Sequence, residues 1–239
     1  MSQATIASHY YNIEQHDSLR YYEGLPMICV EGLHELVEEI ARTYLKPGQC
    51  VLDVGCGRGA FALRMADLGY WVDACDRLDH CMCKDQVNFF CIAAEQAKFE
   101  RQYDAVFLLE LIEHTEAPFA IMRQYAEVLK PGGYMIISTP NIESAISRSW
   151  FALSGRHWYF DDDNVKRDGH INPILDFQLA YIFAELGLRR IEQKAVHESR
   201  NLRMGAHWFL HRVLRTYEWL KGAQCNQGPC IVNVVQKPL

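Results

Sequence analysis

Two rhythms of apolar residues divide the chain. Short runs rich in apolar side chains fall at 50–54, 70–75, 87–93, 104–109, 134–139, 188–196 and 230–236, the lengths expected of strands. Between them, apolar residues recur every third or fourth position, which is the spacing of one helix face. Leu33, Val37, Ile40 and Ala41 do so in 30–44, leaving Glu35, Glu38 and Glu39 for water. Phe61, Met65 and Leu68 repeat the pattern in 60–68. Phe119, Met122, Ala126 and Leu129 do so in 115–129, and Phe177, Ala180, Phe183 and Leu186 in 176–186. Lys46-Pro47-Gly48, Gly69, Lys130-Pro131-Gly132-Gly133 and Gly187 stop the helices ahead of the strands. Strands and helices alternating in this way predict an α/β fold, a doubly wound sheet with helices on both faces.

Three segments stand outside that alternation. Residues 2–27 are polar and rich in tyrosine, and read as a loose arm with a short helix. Residues 77–86 leave little room for a helix, so the crossover there is expected to be abbreviated. Residues 140–173 hold Trp150, Phe151, Trp158, Tyr159 and Phe160, followed by Asp161-Asp162-Asp163 and Arg167, Asp168 and His170. They read equally as a substrate-side lid or as a peripheral helix with ordinary core contacts.

The chemistry concentrates at the carboxyl ends of the strands. Asp53-Val54-Gly55-Cys56-Gly57-Arg58-Gly59 is a strand running through a glycine turn into a helix, a layout that lets backbone approach a nucleotide closely. Asp53 lies two residues before the first glycine. A carboxylate there repels a pyrophosphate and welcomes an ammonium. Asp76 follows Gly57 by 19 residues, close to the spacing at which a carboxylate meets ribose hydroxyls. Glu110-Leu111-Ile112-Glu113-His114-Thr115 follows the fourth strand, at the sheet edge where open α/β folds bind ligands.

Composition narrows the partners. A net charge of −6 argues against broad contact with nucleic acid. No apolar stretch is long enough to cross a bilayer, and no secretory leader is evident at the start. Nine cysteines, an odd number, scatter through predicted strands, which fits a reduced cytoplasmic setting. Cys75, His80, Cys81 and Cys83 lack the spacing of a structural zinc site, so no metal is expected. Residues 200–221 form an amphipathic segment with five basic residues against Glu218. That permits membrane-surface contact, although a helix packed on its own domain is the favoured reading.

Taken together, Asp53-x-Gly55-x-Gly57, Asp76, the Glu110-x-x-Glu113-His114 stretch and Val128-Leu129-Lys130-Pro131-Gly132-Gly133 resemble the class I S-adenosylmethionine-dependent methyltransferases, in the branch acting on small molecules and glycan intermediates. The resemblance covers roughly 44–188 and implies a seven-stranded Rossmann-like sheet whose last strand runs antiparallel at the sheet edge. It divides the chain into an N-terminal arm and helix, 1–45, and a methyltransferase domain, 46–239, with a substrate-side insertion at 144–173. The cofactor implied is S-adenosylmethionine, held by Asp53, Gly55, Cys56, Gly57, Asp76, Arg77, Ala94, Glu95, Glu110 and Leu111. Ala93 stands where the family often has aspartate. His170 and His114 are the candidate catalytic residues, and Trp150, Trp158 and Tyr159 the candidate substrate contacts. The expected reaction is in-line methyl transfer to a small-molecule or glycan-like acceptor, at oxygen. A noncatalytic cofactor-binding scaffold stays open because of Ala93 and the short 77–86 segment. An NAD-dependent oxidoreductase is disfavoured by Asp53 and by the lack of a third glycine in dinucleotide register. The oligomeric state is unspecified.

Overall fold

The computed structural model describes residues 20–196 and 228–239, together with 210, 212–214 and 216, which are helical. Most of the amphipathic segment 200–221 and most of the N-terminal arm therefore lie outside the described residues. The chain begins with a hairpin, β1 (Arg20–Tyr22) and β2 (Leu25–Met27), closed by Glu23 and Gly24 at φ 46° and 81°. Two left-handed residues in succession match the twist of a tight hairpin. The described end of the arm is thus a hairpin rather than a loose coil. Then follow α1 (Leu33–Tyr44), β3 (Cys50–Val54), α2 (Ala60–Asp67), β4 (Trp71–Asp76), β5 (Asn88–Cys91) and β6 (Tyr103–Leu108). A 3-10 turn (Ile112–His114) leads to α3 (Pro118–Glu127), β7 (Leu129–Pro140), α4 (Ala145–Ser154), α5 (Asp162–Arg167), α6 (Asp176–Glu185), β8 (Arg189–Ala195) and β9 (Cys230–Gln236).

Seven strands form one sheet in the order β5-β4-β3-β6-β7-β9-β8. The pairs from β5 to β7 are parallel, and β9 runs antiparallel to both of its neighbours. The antiparallel last strand is as expected, but its position is not: β9 is inserted between β7 and β8. The side chains explain the difference. Cys230 to Val235 are all buried, whereas β8, Arg-Arg-Ile-Glu-Gln-Lys-Ala, is only half covered. A strand carrying charges can close a sheet edge; an apolar one needs neighbours on both sides.

Successive strand residues feed opposite cores, as the period of two requires. Val51, Ala74, Phe107, Ile136 and Val234 pack with α1 and α2. Leu52, Cys75, Leu108, Ile137 and Val235 pack with α3 and α6. Phe61 of α2 meets Phe107 edge-on, with centroids 4.9 Å apart. Arg64 of α2 clamps the first layer. It bonds Glu38 at 2.6 Å and Glu35 at 3.2 Å, and its guanidinium lies 4.3 Å from the Tyr22 ring centre. The arm hairpin therefore packs on α2. Between β4 and β5 no helix forms, and residues 77–87 cross in turns.

Candidate active site

The glycine turn is built by backbone bonds to β4. Gly55 and Cys56 N–H groups both donate to Cys75 O, at 2.8 and 3.0 Å. Gly57 N–H donates to Asp76 Oδ2 at 2.9 Å, and Leu78 N–H to Asp76 Oδ1 at 2.9 Å. Asp76 therefore shapes the turn, and its carboxylate retains lone pairs beyond these two bonds. The three glycines have φ of 75°, 54° and 92°, left-handed values that favour glycine. A Cβ on Gly55 would come 2.9 Å from Leu111 Cδ1, so that side chain closes over the turn. A Cβ on Gly57 would meet nothing within 4 Å. The turn is tight underneath and open at Gly57.

Asp53 is buried beneath this turn, 3% exposed, and its Oδ2 has no hydrogen-bond partner among the described residues. Burial, reinforced by Cys81 and Asp76, pushes its pKa up to about 8. A buried carboxyl left unpaired stays protonated until a cation arrives. The orphaned oxygen and the open space at Gly57 fit a ligand that carries an ammonium and lies against backbone. They fit S-adenosylmethionine, which would be held by Asp53, the Gly55–Gly57 turn and Asp76.

The other expected cofactor contacts spread along the same edge. Arg77 and Glu95 are exposed. Ala94 is buried, and its carbonyl accepts from Gln124 Nε2 and Tyr125 OH, both at 2.9 Å. That carbonyl thus anchors α3. Glu110 has φ 48°, a left-handed conformation that costs a non-glycine residue. The strain is held by three bonds. Its N–H donates to Ser138 Oγ at 2.8 Å, and its Oε1 accepts from Ser138 Oγ at 3.0 Å and from Cys230 Sγ at 3.1 Å.

Glu113 is fully buried, and burial together with Glu110 holds its pKa well above the usual carboxyl range. Its carbonyl accepts from both Ile171 N and Asn172 N at 3.0 Å. Those two bonds bring the 169–173 turn onto the loop after β6. The His114 and His170 rings then lie 4.8 Å apart, inclined at 62°. Burial, with His170 beside it, lowers the His114 pKa to about 4, so that imidazole is neutral near pH 7. His170 Nδ1 lies 2.9 Å from Tyr159 O. A carbonyl only accepts, so Nδ1 carries the proton and Nε2 is the basic nitrogen. The aromatic residues of the insertion join this cluster. Trp150 meets Trp158 at 5.0 Å, Trp158 meets Tyr159 at 5.9 Å, and Tyr159 and Phe160 lie 6.3 and 5.4 Å from His170.

The structure thus gathers His114, His170, Trp158 and Tyr159, with Trp150 one ring further out, at the end of β6. Sequence reasoning missed Ser138 and Cys230 as partners of Glu110, because Cys230 is 120 residues away on an inserted strand. It also expected no metal. Glu113, His114 and His170 each present one ligand atom, all within 4.8 Å of one another. The adjacent Glu113-His114 pair was visible in the sequence, but nothing there tied it to His170.

Known proteins share this architecture. A family model described as a methyltransferase domain matches residues 26–193. A ubiquinone biosynthesis O-methyltransferase of Xanthomonas campestris pv. campestris is 37% identical over 116 residues, 44% of this chain and 48% of that protein. The chain thus matches about half the length of that curated relative. Among solved structures, N-methyltransferase NodS from Bradyrhizobium japonicum with S-adenosyl-L-homocysteine superposes with a TM-score of 0.60 at 13% identity, over 99% of this chain and 98% of that one. A SAM-dependent methyltransferase from Archaeoglobus fulgidus gives 0.57 at 21% identity, over 85% and 94%. At those identities the superpositions speak for the fold, and the match over 26–193 speaks for the family. The chain belongs to the methyltransferase-domain family, whose cofactor is S-adenosylmethionine.

Proposed function

We propose that this protein transfers the methyl group of S-adenosylmethionine to a hydroxyl of a small aromatic or glycan-like molecule. When bound, S-adenosylmethionine would supply a sulfonium methyl carbon open to in-line attack by an acceptor oxygen, the C–O bond forming as the C–S bond breaks and S-adenosylhomocysteine leaves. The chain's own work is then to bind, align and deprotonate. Asp53 and the Gly55–Gly57 turn hold the donor. Trp150, Trp158 and Tyr159 form an aromatic wall for the acceptor. Holding both partners in register and excluding water contribute most of the rate in such a displacement.

A hydroxyl must lose its proton as it is methylated. The observation that carries the reading is the His170 imidazole, hung by Nδ1 on Tyr159 O so that Nε2 is left to take that proton. Next to it, burial keeps His114 neutral and raises the Glu113 pKa well above the usual carboxyl range. The O-methyltransferase name of the curated relative agrees with an oxygen acceptor. The test is a radiolabelled-methyl assay against a panel of phenols, catechols and sugars, run with the wild type and His170→Ala. The expected result is turnover on one hydroxyl class, reduced by about 10²–10⁴-fold in the variant as removal of a general base does, with S-adenosylmethionine affinity unchanged. Equal turnover in the variant would return His170 to a structural role.

A second reading has an observation of its own, the three ligand atoms of Glu113, His114 and His170. A divalent cation held there would ionise Glu113 and acidify an acceptor hydroxyl directly. Loss of turnover on chelation, restored by magnesium or zinc, would favour this reading over the free base.

A further inference from the structure

Three of the cysteines meet under the glycine turn, and the methyl-transfer reading uses none of their chemistry. Cys56 lies inside the turn. Cys81 and Cys83 come from the helix-free crossover 77–87. Cys81 Sγ and Cys83 Sγ are 3.6 Å apart, and the Cys56 thiol, whose Sγ lies 3.8 Å from Gly57 O, is near enough to Cys81 to influence its ionisation. All three thiols are free. They also fasten the crossover to the turn. Cys83 Sγ donates to Gly59 O at 3.3 Å, and Met82 N–H to Arg58 O at 3.0 Å. The packing is close enough that a Cβ on Gly59 would lie 2.5 Å from Cys83 Sγ and 3.0 Å from Cys81 Sγ.

The trio is graded chemically. Cys83 has a single S–H, resting on Gly59 O, and can turn it onto Cys81 Sγ when that sulfur is ionised; with Cys56 and Cys83 beside it, the Cys81 thiol is held well below the usual thiol range. The thiolate is the nucleophilic form of cysteine. A surface cleft of about 350 Å³, lined by Leu25, Met82, Cys83 and Gln86, reaches this group at Cys83, with Cys81 just behind it.

From this arrangement we infer that Cys81 is a peroxide-reactive thiol, resolved to a disulfide within the trio, and that the disulfide weakens cofactor binding by deforming the glycine turn. The first step forms a bond between Cys81 Sγ and the outer oxygen of a hydroperoxide and breaks its O–O bond. Hydrogen peroxide so yields a sulfenic acid and a hydroxide, which takes up the proton the thiol gave up on ionising and becomes one water. In the second step the Cys83 or Cys56 sulfur attacks Cys81 Sγ. The S–O bond breaks, and the hydroxide leaves with the thiol proton as a second water. Two thiols are oxidised by two electrons and the peroxide is reduced by two. With Cys83 as partner, the bond to Gly59 O is lost. With Cys56, the crosslink sits inside the turn itself.

The effect on the cofactor rests on the proposed position of S-adenosylmethionine over Gly57; the oxidation chemistry does not. The test is therefore two measurements on the reduced full-length protein treated with stoichiometric hydrogen peroxide. Tryptic mapping after alkylation follows the peptide 78–84, which carries both Cys81 and Cys83. The expected result is a loss of 2 Da on that peptide, or its crosslink to the Cys56 peptide, ahead of any modification at the exposed Cys91, with dimedone trapping at Cys81 in Cys83→Ser. Modification of Cys91 first, with the trio still alkylatable, would overturn the assignment without needing any variant. Calorimetric titration with S-adenosylmethionine is expected to show at least a tenfold weakening after oxidation, reversed by dithiothreitol. Unchanged affinity of a disulfide-bearing protein would overturn the gating. Failure of the reduced protein to bind at all would instead count against the cofactor site.

Discussion

Asp53→Asn separates the two demands placed on the buried carboxyl. In the free protein its pKa stands at about 8 against an ordinary 3.8. A group whose pKa is raised by folding contributes its full stability below the unfolded value and loses it as pH rises through the folded one. At pH 7 the accumulated cost is roughly 4 kcal/mol, at about 1.36 kcal/mol per pKa unit. Asparagine keeps the volume and cannot ionise, while its own unpaired amide takes back about 1–3 kcal/mol. The net expectation is a variant about 2 kcal/mol more stable at pH 7, a rise in Tm of roughly 4–8 °C for a chain of this size. The gain should grow from about pH 4 to about pH 8 and then level off. Cofactor binding should move the other way, because the ammonium loses its counter-charge. The Kd for S-adenosylmethionine should rise at least tenfold, which is about 1.4 kcal/mol. Thermal denaturation across pH and calorimetric titration read the two quantities independently. A variant less stable than wild type throughout, or one binding the cofactor unchanged, would refute the reasoning.

Other perturbations follow from the same geometry. Binding to wild type should release a proton below pH 8, as Asp53 ionises against the ammonium, so affinity should climb with pH towards 8; buffers of differing ionisation enthalpy would reveal it in calorimetry, and no buffer dependence would count against it. Gly57→Ala should fold with a cost of about 1–2 kcal/mol for its left-handed φ, yet lose cofactor affinity, whereas Gly59→Ala should lose about 2–4 kcal/mol of stability because its Cβ strikes Cys83 Sγ; urea midpoints and binding isotherms together check the contrast. Phe107→Ala removes a fully buried ring stacked edge-on against Phe61 and should cost about 3–5 kcal/mol in chemical denaturation.

The alternation of strand and helix, the glycine turn and the two carboxylates around it were legible in the sequence because each depends on local spacing. Asp53, Gly55 and Gly57 lie within five residues. Asp76 follows at one crossover's distance, and the periodicity of 33–44 names its buried face correctly. In 60–67 every residue from Ala60 to Met65 is buried, so periodicity names no single face, and in 176–185 Phe177 and Ala180 face solvent while Leu179, Ile182 and Phe183 are buried. Burial itself was less legible. That Asp53 lacks a partner and stays protonated follows from the layers above and below it, not from its neighbours in the chain.

What only the tertiary structure decided was which distant segments meet. The insertion of β9 between β7 and β8 put Cys230 against Glu110, and nothing near residue 110 foretells a partner 120 positions on. The 169–173 turn reached His114 through two backbone bonds to the Glu113 carbonyl, and backbone bonds leave no mark in residue identity. Cys56, Cys81 and Cys83 came together because the crossover after β4 is too short for a helix and must lie across the glycine turn. The sequence by itself determined the elements, the glycine turn and the family, because short-range periodicity and steric demands are written residue by residue. The His114–His170 cluster and the cysteine group were decided by packing, because contact between remote residues depends on the path of the whole chain.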